Sequence, residues 1–188
     1  MLSIAALRRK QKAARLHARK TQLLGSVPGL LGSRSLLYVG ANVERMEMLD
    51  LFIAKKRRIT VLEAWAPNVD ALRRWNESRR VIAEILEGDV RALDAEKRYD
   101  IVMWWHGPEH ISAEELDATL ERVERAARRY VVLAAPFGNV PQGATGGNPH
   151  ERHLAAYLPE TFIVRGYEVN TIGKIDWLGS NLLAWKRV

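Results

Sequence analysis

From residue 35 onward, short unbroken apolar runs alternate with segments of helical periodicity, and this alternation constrains the fold more than any other feature of the 188 residues. Ser35–Val39 (SLLYV) is an apolar run ending at Gly40. Residues 44–54 place Met46, Met48, Leu49, Phe52 and Ile53 at helical spacing. A second strand is expected over residues 59–62, ending in Glu63. Asn68 is placed to cap a helix reaching about Glu77. A third strand is expected over 81–86, with Gly88 and Asp89 behind it, and a fourth over 100–104 (DIVMW). Ser112-Ala113-Glu114-Glu115 reads as a capping box opening a helix to about Arg128. Residues 130–134 (YVVLA) form a fifth strand. A Gly/Pro-rich loop then runs from Pro136 to about His150, followed by a short helix over 159–165. Residues 167–172 and 181–186, joined by the turn-rich 173–180, predict a terminal hairpin. Unbroken apolar strands alternating with helices mean βαβ units and a parallel sheet covered on both faces: a doubly wound α/β fold.

Charge divides the chain differently. No acidic residue precedes Glu44, yet Arg8, Arg9, Lys10, Lys12, Arg15, Arg19, Lys20 and Arg34 do. The other 21 basic residues nearly cancel the 22 acidic ones, so the net charge of +7 belongs to an N-terminal arm. Residues 1–24 are rich in good helix formers. Arg8, Lys12, Arg15 and Arg19 fall on one stripe of such a helix, and Ala6, Leu7, Ala13, Ala14 and Ala18 on another side. This helix fits a structural face, a surface for RNA, acidic membrane or an acidic partner, or an organelle transit segment. Residues 25–29 (GSVPG) are expected to end it as a linker. The division expected is a basic helical arm and linker over 1–33 and a domain over 34–188 that folds without them. With no Cys, disulfides and thiolate sites are excluded. No apolar run reaches a membrane-span length of roughly 18 residues, and MLSIAAL is too short for a secretory signal, so a cytoplasmic protein is expected.

In a doubly wound sheet, ligands bind beyond the carboxyl ends of the strands. Strand one delivers Gly40, Ala41 and Asn42, where a glycine lets backbone approach a ligand. Strand two delivers Glu63 and Ala64, and a carboxylate about 20 residues after such a turn can hold a ribose diol. Strand three delivers Gly88, Asp89 and Val90, with Asp89 placed to accept from an adenine amino group. Strand four delivers Trp104, Trp105 and His106. Four such positions in order point to an adenosine-type cofactor. Trp65 either flanks the adenine or packs on the next helix.

On these residues the chain resembles the class I S-adenosylmethionine (SAM)-dependent methyltransferases over about residues 34–188. LYVGAN is similar to their first motif, VLEAW to the acidic second-strand motif, EGDV to the adenine motif and DIVMWWHGPEHI to the fourth-strand segment. NPHERHLAAYLPETFIVRGYEV with LLAWK is similar to the substrate-side loop, helix and closing hairpin of glycan-type members. The resemblance implies a Rossmann-like seven-stranded sheet of order 3-2-1-4-5-7-6 with strand seven antiparallel. It implies SAM as cofactor and methyl transfer to a small polar or carbohydrate-type acceptor. It assigns Gly40, Ala41 and Asn42 to the methionine part, Glu63 to the ribose, and Asp89 and Val90 to the adenine, with Trp104 to His106 facing the methyl group. The family's first motif is about G-x-G-x-G, and here only Gly40 remains. Asn42 tolerates left-handed geometry. The departure motivates an alternative, a catalytically weak methyltransferase-like binding module that uses its basic arm. It also argues against a dinucleotide site, which needs G-x-G-x-x-G.

Four histidines, His106, His110, His150 and His153, fall in the loops after strands four and five. His106 directly follows a strand end and is the candidate general base. Glu109, His110, His150 and His153, with Trp105, are expected on the substrate side, as acceptor contacts or loop anchors. His106-Gly107-Pro108-Glu109-His110 matches an H-x-x-E-H zinc spacing. That chemistry needs a helix, which Gly107-Pro108 opposes, and no metal is expected. Trp104 and Trp105, adjacent on an extended segment, point to opposite sides, so at most one lines a pocket.

Overall fold

The computed structural model describes residues 16–43, 46, 48–53, 57–172 and 181–188. Seven strands form one sheet: β1 Ser35–Val39, β2 Arg58–Glu63, β3 Glu84–Glu87, β4 Tyr99–Trp105, β5 Ala127–Pro136, β6 Glu168–Ile172 and β7 Asn181–Arg187. Their order is β3-β2-β1-β4-β5-β7-β6. Pairs among β1 to β5 are parallel, and β7 runs antiparallel to both β5 and β6. The Rossmann-like seven-stranded fold and its strand order are as the sequence resemblance implies.

Side chains alternate across each strand, which builds two cores from one sheet. Leu36, Tyr38, Ile101, Met103, Val132, Leu183 and Trp185 face one side. That side is covered by helix α1 (residues 16–26), by α2 (Asp50–Ile53) with its flanking Met46, Met48 and Leu49, and by α3 (Ala66–Arg79) through Leu72. Leu37, Val39, Val102, Trp104, Val131, Leu133 and Leu182 face the other side, against α4 (Leu116–Ala126) and α5 (Pro159–Ile163).

The local chemistry explains where the elements begin and stop. The Ser112–Glu115 capping box forms, with Ser112 N donating to Glu115 Oε2 at 3.2 Å, and its 3-10 turn runs into α4. Asn68 is not the cap of α3. The helix starts at Ala66-Pro67, where a proline suits the first turn because no N–H partner is needed there. Strand β3 is shorter than expected. Val81 N and Ile82 N donate instead to the Asn76 side chain at 3.0 and 2.9 Å, which satisfies them without a strand partner. Of the helix expected over 44–54, Asp50–Ile53 is helical, and Glu44, Arg45, Glu47 and Ala54 lie outside the described residues.

The segment expected as a linker is part of the core. Helix α1 continues through Gly25 and Ser26. Leu23, Val27 and Leu30 are fully buried among the residues of the first core. Lys20 pairs with Asp50 at 3.1 Å, and Asn170 of β6 donates to Ser26 Oγ at 3.1 Å. Apolar spacing, not the Gly-Ser-Pro composition, decides this stretch. Ala6, Leu7, Arg8, Lys12, Ala13, Ala14 and Arg15 of the arm lie outside the described residues, as does the 173–180 turn. No helix among the described residues is long and apolar enough to cross a membrane.

Candidate active site

The carboxyl ends of β1 to β4 open on one cleft. It is lined by Gly40 and Asn42 after β1, Glu63 and Ala64 at the end of β2, Gly88, Asp89, Val90 and Arg91 after β3, and Trp104, His106 and Gly107 at the end of β4. Asn148, His150 and Glu151 close it from the loop after β5. Of the sequence candidates, Ala41, Trp105, Glu109 and His153 do not line the cleft: Ala41 and Trp105 pack in the first core, Glu109 is buried, and His153 lies on the loop after β5. Trp104 is the tryptophan that lines it. Asn68, Arg91, Asn148 and Glu151 line the cleft without being expected there from sequence, Asn68 being expected only as a helix cap. Arg91, two residues past the expected adenine Asp, carries the one signal that could have found it.

Gly40 has a φ of 77° and donates its N–H to Leu62 O at 2.9 Å. No atom lies within 4 Å of where a side chain would begin, so this backbone is open to a ligand. Glu63 is 6% exposed. It accepts from Trp65 N at 2.9 Å and from the Asn68 side chain. Burial pushes its carboxyl above the usual range, with Glu151 adding to the rise, while the hydrogen bonds from Trp65 and Asn68 oppose it. Asp89 behaves oppositely. Arg91 donates to it through N, Nε and a terminal nitrogen at 2.8, 3.0 and 2.7 Å, and that pairing holds its carboxyl below the usual range. Arg91 also reaches Glu115 at 2.9 Å, tying the end of β3 to the start of α4.

His106 has a φ of 52°, left-handed backbone that is uncommon outside glycine, though histidine adopts it more readily than most residues. Its N–H donates to Ala134 O of β5 at 2.9 Å, so the ladder that ends β4 enforces the conformation. The side chain is 30% exposed, and Nδ1 stands 3.4 Å from Glu109 Oε1. Strain of this kind is concentrated where a side chain must be aimed. Gly107 makes room for its neighbour: a Cβ there would sit 1.7 Å from Trp104 Nε1. Gly107→Ala is therefore expected to push the indole out of its seat and to destabilise the fold by about 1–3 kcal/mol. Urea denaturation followed by tryptophan fluorescence measures both effects. A wild-type midpoint and spectrum would show that the turn yields instead.

No protein-family model matches the chain, and no curated protein matches it in sequence. Its fold is that of the SAM-dependent methyltransferases. The methyltransferase domain of bacterial CtHen1-CN superposes with a TM-score of 0.64 at 17% identity, over 92% of this chain and 100% of that one. Magnesium protoporphyrin IX methyltransferase from Synechocystis PCC 6803, with bound SAM, gives 0.64 at 13% identity, over 100% of this chain and 85% of that one. The N-terminal domain of EvdMO1 with SAH bound gives 0.64 at 16%, over 92% and 80%.

Proposed function

We propose that this chain is a SAM-dependent methyltransferase acting on a hydroxyl of a small polar or carbohydrate-type acceptor. The observation that carries the reading is Glu63, a buried carboxylate at the end of β2 facing the same cleft as Gly40 and Asp89. Trp65 N and the Asn68 side chain take only part of the acceptor capacity of this buried carboxylate, and a ribose diol donating two further hydrogen bonds would repay the cost of its burial. The open backbone at Gly40, with Asn42 beside it on the cleft, accommodates the methionine part. Asp89 and Val90 flank the adenine, with Asp89 already fixed in direction by Arg91. The carboxylates of Glu63, Asp89 and Glu151 around the cleft also suit a cationic sulfonium.

Bound there, SAM supplies a methyl group already activated by its sulfonium. The chain's own task is to align, exclude water and take a proton. Glu109 orients His106 through Nδ1, which leaves the other ring nitrogen to accept the hydroxyl proton as the acceptor oxygen gains the methyl. His110 and His150, also on the cleft, stand on the acceptor side with Trp104 behind. The carbohydrate-type reading draws support from the EvdMO1 domain, whose structure was also determined in the presence of SAH and D-fucose.

Calorimetric titration with SAM tests the cofactor. Glu63→Ala is expected to weaken binding about 10–100-fold, the loss of charge-assisted hydrogen bonds. Because burial raises the Glu63 pKa, wild-type affinity should begin to fall on acidification above the ordinary carboxylate range, and Glu63→Gln should lack that fall. The same shift acts oppositely on the free protein. A raised carboxylate pKa adds stability at low pH and loses it as pH rises through the folded value. Glu63→Gln should therefore flatten that decline. Unchanged SAM affinity in folded Glu63→Ala would remove the assignment.

A further inference from the structure

Glu109, His110 and His153 each bring a ligand atom to one point, all within 4.8 Å of one another. Glu109 and His110 belong to the 3-10 turn Pro108–His110 after β4, and His153 comes from the loop after β5. The H-x-x-E-H spacing was set aside as a metal motif because it needs a helix. Here a turn and a second loop bring the groups together instead.

The two imidazoles are prepared alike. His110 Nδ1 lies 3.1 Å from Arg152 O, and His153 Nδ1 lies against Val140 O. A carbonyl oxygen only accepts, so Nδ1 of each ring is the donor in this contact, and Nε2 is the ring atom left to meet a metal. An N–H···O=C contact behind the ring is how metal-binding histidines are oriented. His110 Nε2 faces Glu109 Oε1 at 3.9 Å, and the rings meet edge to face with centroids 5.0 Å apart.

Glu109 is the third and most telling member. It is 2% exposed, and its Oε2 is buried with no hydrogen-bond partner among the described residues. A buried carboxylate oxygen without a donor is costly unless something positive meets it. The surrounding backbone holds it in place. Leu154 N and Ala155 N both donate to Glu109 O at 2.8 and 3.3 Å, Tyr157 OH donates to Pro108 O at 3.2 Å, and His153 N donates to Gln142 O at 3.0 Å.

We propose that Glu109, His110 and His153 bind a first-row divalent cation such as Zn²⁺, at the acceptor-side edge of the cleft. Imidazole and carboxylate donors without thiolate suit Zn²⁺, Co²⁺ or Mn²⁺. Ligand atoms about 2.1 Å from a tetrahedral ion stand about 3.4 Å apart, so small side-chain rotations close the present spacing. His110 also lines the cleft, which puts the cation at the edge of it. The site does not depend on the methyl-transfer reading, and its test uses neither SAM nor turnover.

The untagged full chain, freed of metal by a chelator and dialysed, is titrated with Zn²⁺ by calorimetry and with Co²⁺ by visible absorption. One ion per chain and ligand-field bands of a nitrogen- and oxygen-bound Co²⁺ are expected. Glu109→Gln and His153→Ala should each weaken binding by more than about tenfold, with circular dichroism confirming the fold. Should Glu109→Gln fail to fold, His153→Ala decides alone. Absence of binding, or binding that survives the substitution in a folded chain, overturns the proposal.

Discussion

Replacing His106 with Asn is expected to lower kcat by about 10²–10⁴-fold with a hydroxyl acceptor, the range for loss of a general base. Asn is the informative substitution because it tolerates the left-handed backbone at this position, where φ is 52°. His106→Ala removes the same base but adds backbone strain. Equal losses in the two variants therefore isolate the proton transfer from the fold. SAM affinity should change little, since the proposed ribose and adenine contacts come from residues at the ends of β2 and β3 and not from His106. Near-normal turnover in His106→Asn would discard the base. Turnover and SAM affinity falling together would make His106 a wall of the cofactor pocket instead.

Deleting residues 1–32, so that the chain begins at Ser33, is expected to remove most of its stability. Leu23, Val27 and Leu30 are buried in the first core. At about 1.5–3 kcal/mol for each buried side chain, the loss is about 4.5–9 kcal/mol. Whole domains of this size are stable by about 5–15 kcal/mol. Urea denaturation checks it, with Leu23→Ala in the full chain as a graded control expected to cost about 2–5 kcal/mol. A Ser33 chain that unfolds at the wild-type midpoint would show that the alternating strands need no support from α1.

That second prediction marks the boundary of what the sequence reveals. Strands β1, β2, β4 and β5 are legible because parallel strands buried on both faces must be apolar throughout, and the residue after such a run is exposed to the cleft. Gly40 and His106 follow from that rule; Glu63, the last residue of β2, and Asp89, two residues past β3, needed in addition the expectation of a ribose- and adenine-binding pair. Residues 25–29 misled because composition reports turn propensity, whereas the burial of Val27 and Leu30 depends on a sheet formed elsewhere in the chain. Strand β3 misled for a related reason. The Asn76 side chain competes for the backbone of Val81 and Ile82, and no periodicity records that. The meeting of Glu109 with His153 is wholly tertiary, written in hydrogen bonds between two loops. Ala41 and Trp105 turn into the core and away from the cleft, because the rule names the strand end and not which way each side chain turns.

The position of β7 has a consequence for how the protein is made. It lies between β5 and β6, pairing with both, and feeds Leu183 and Trp185 to one core and Leu182 and Ala184 to the other. During synthesis, β5 is therefore an open sheet edge until residues 181–187 leave the ribosome. β6 emerges earlier but has no neighbour to pair with. Neither core closes gradually, and final assembly waits on the insertion of one strand between two others. A nascent chain stalled before that point exposes an apolar edge of the kind that recruits chaperones or other copies of itself.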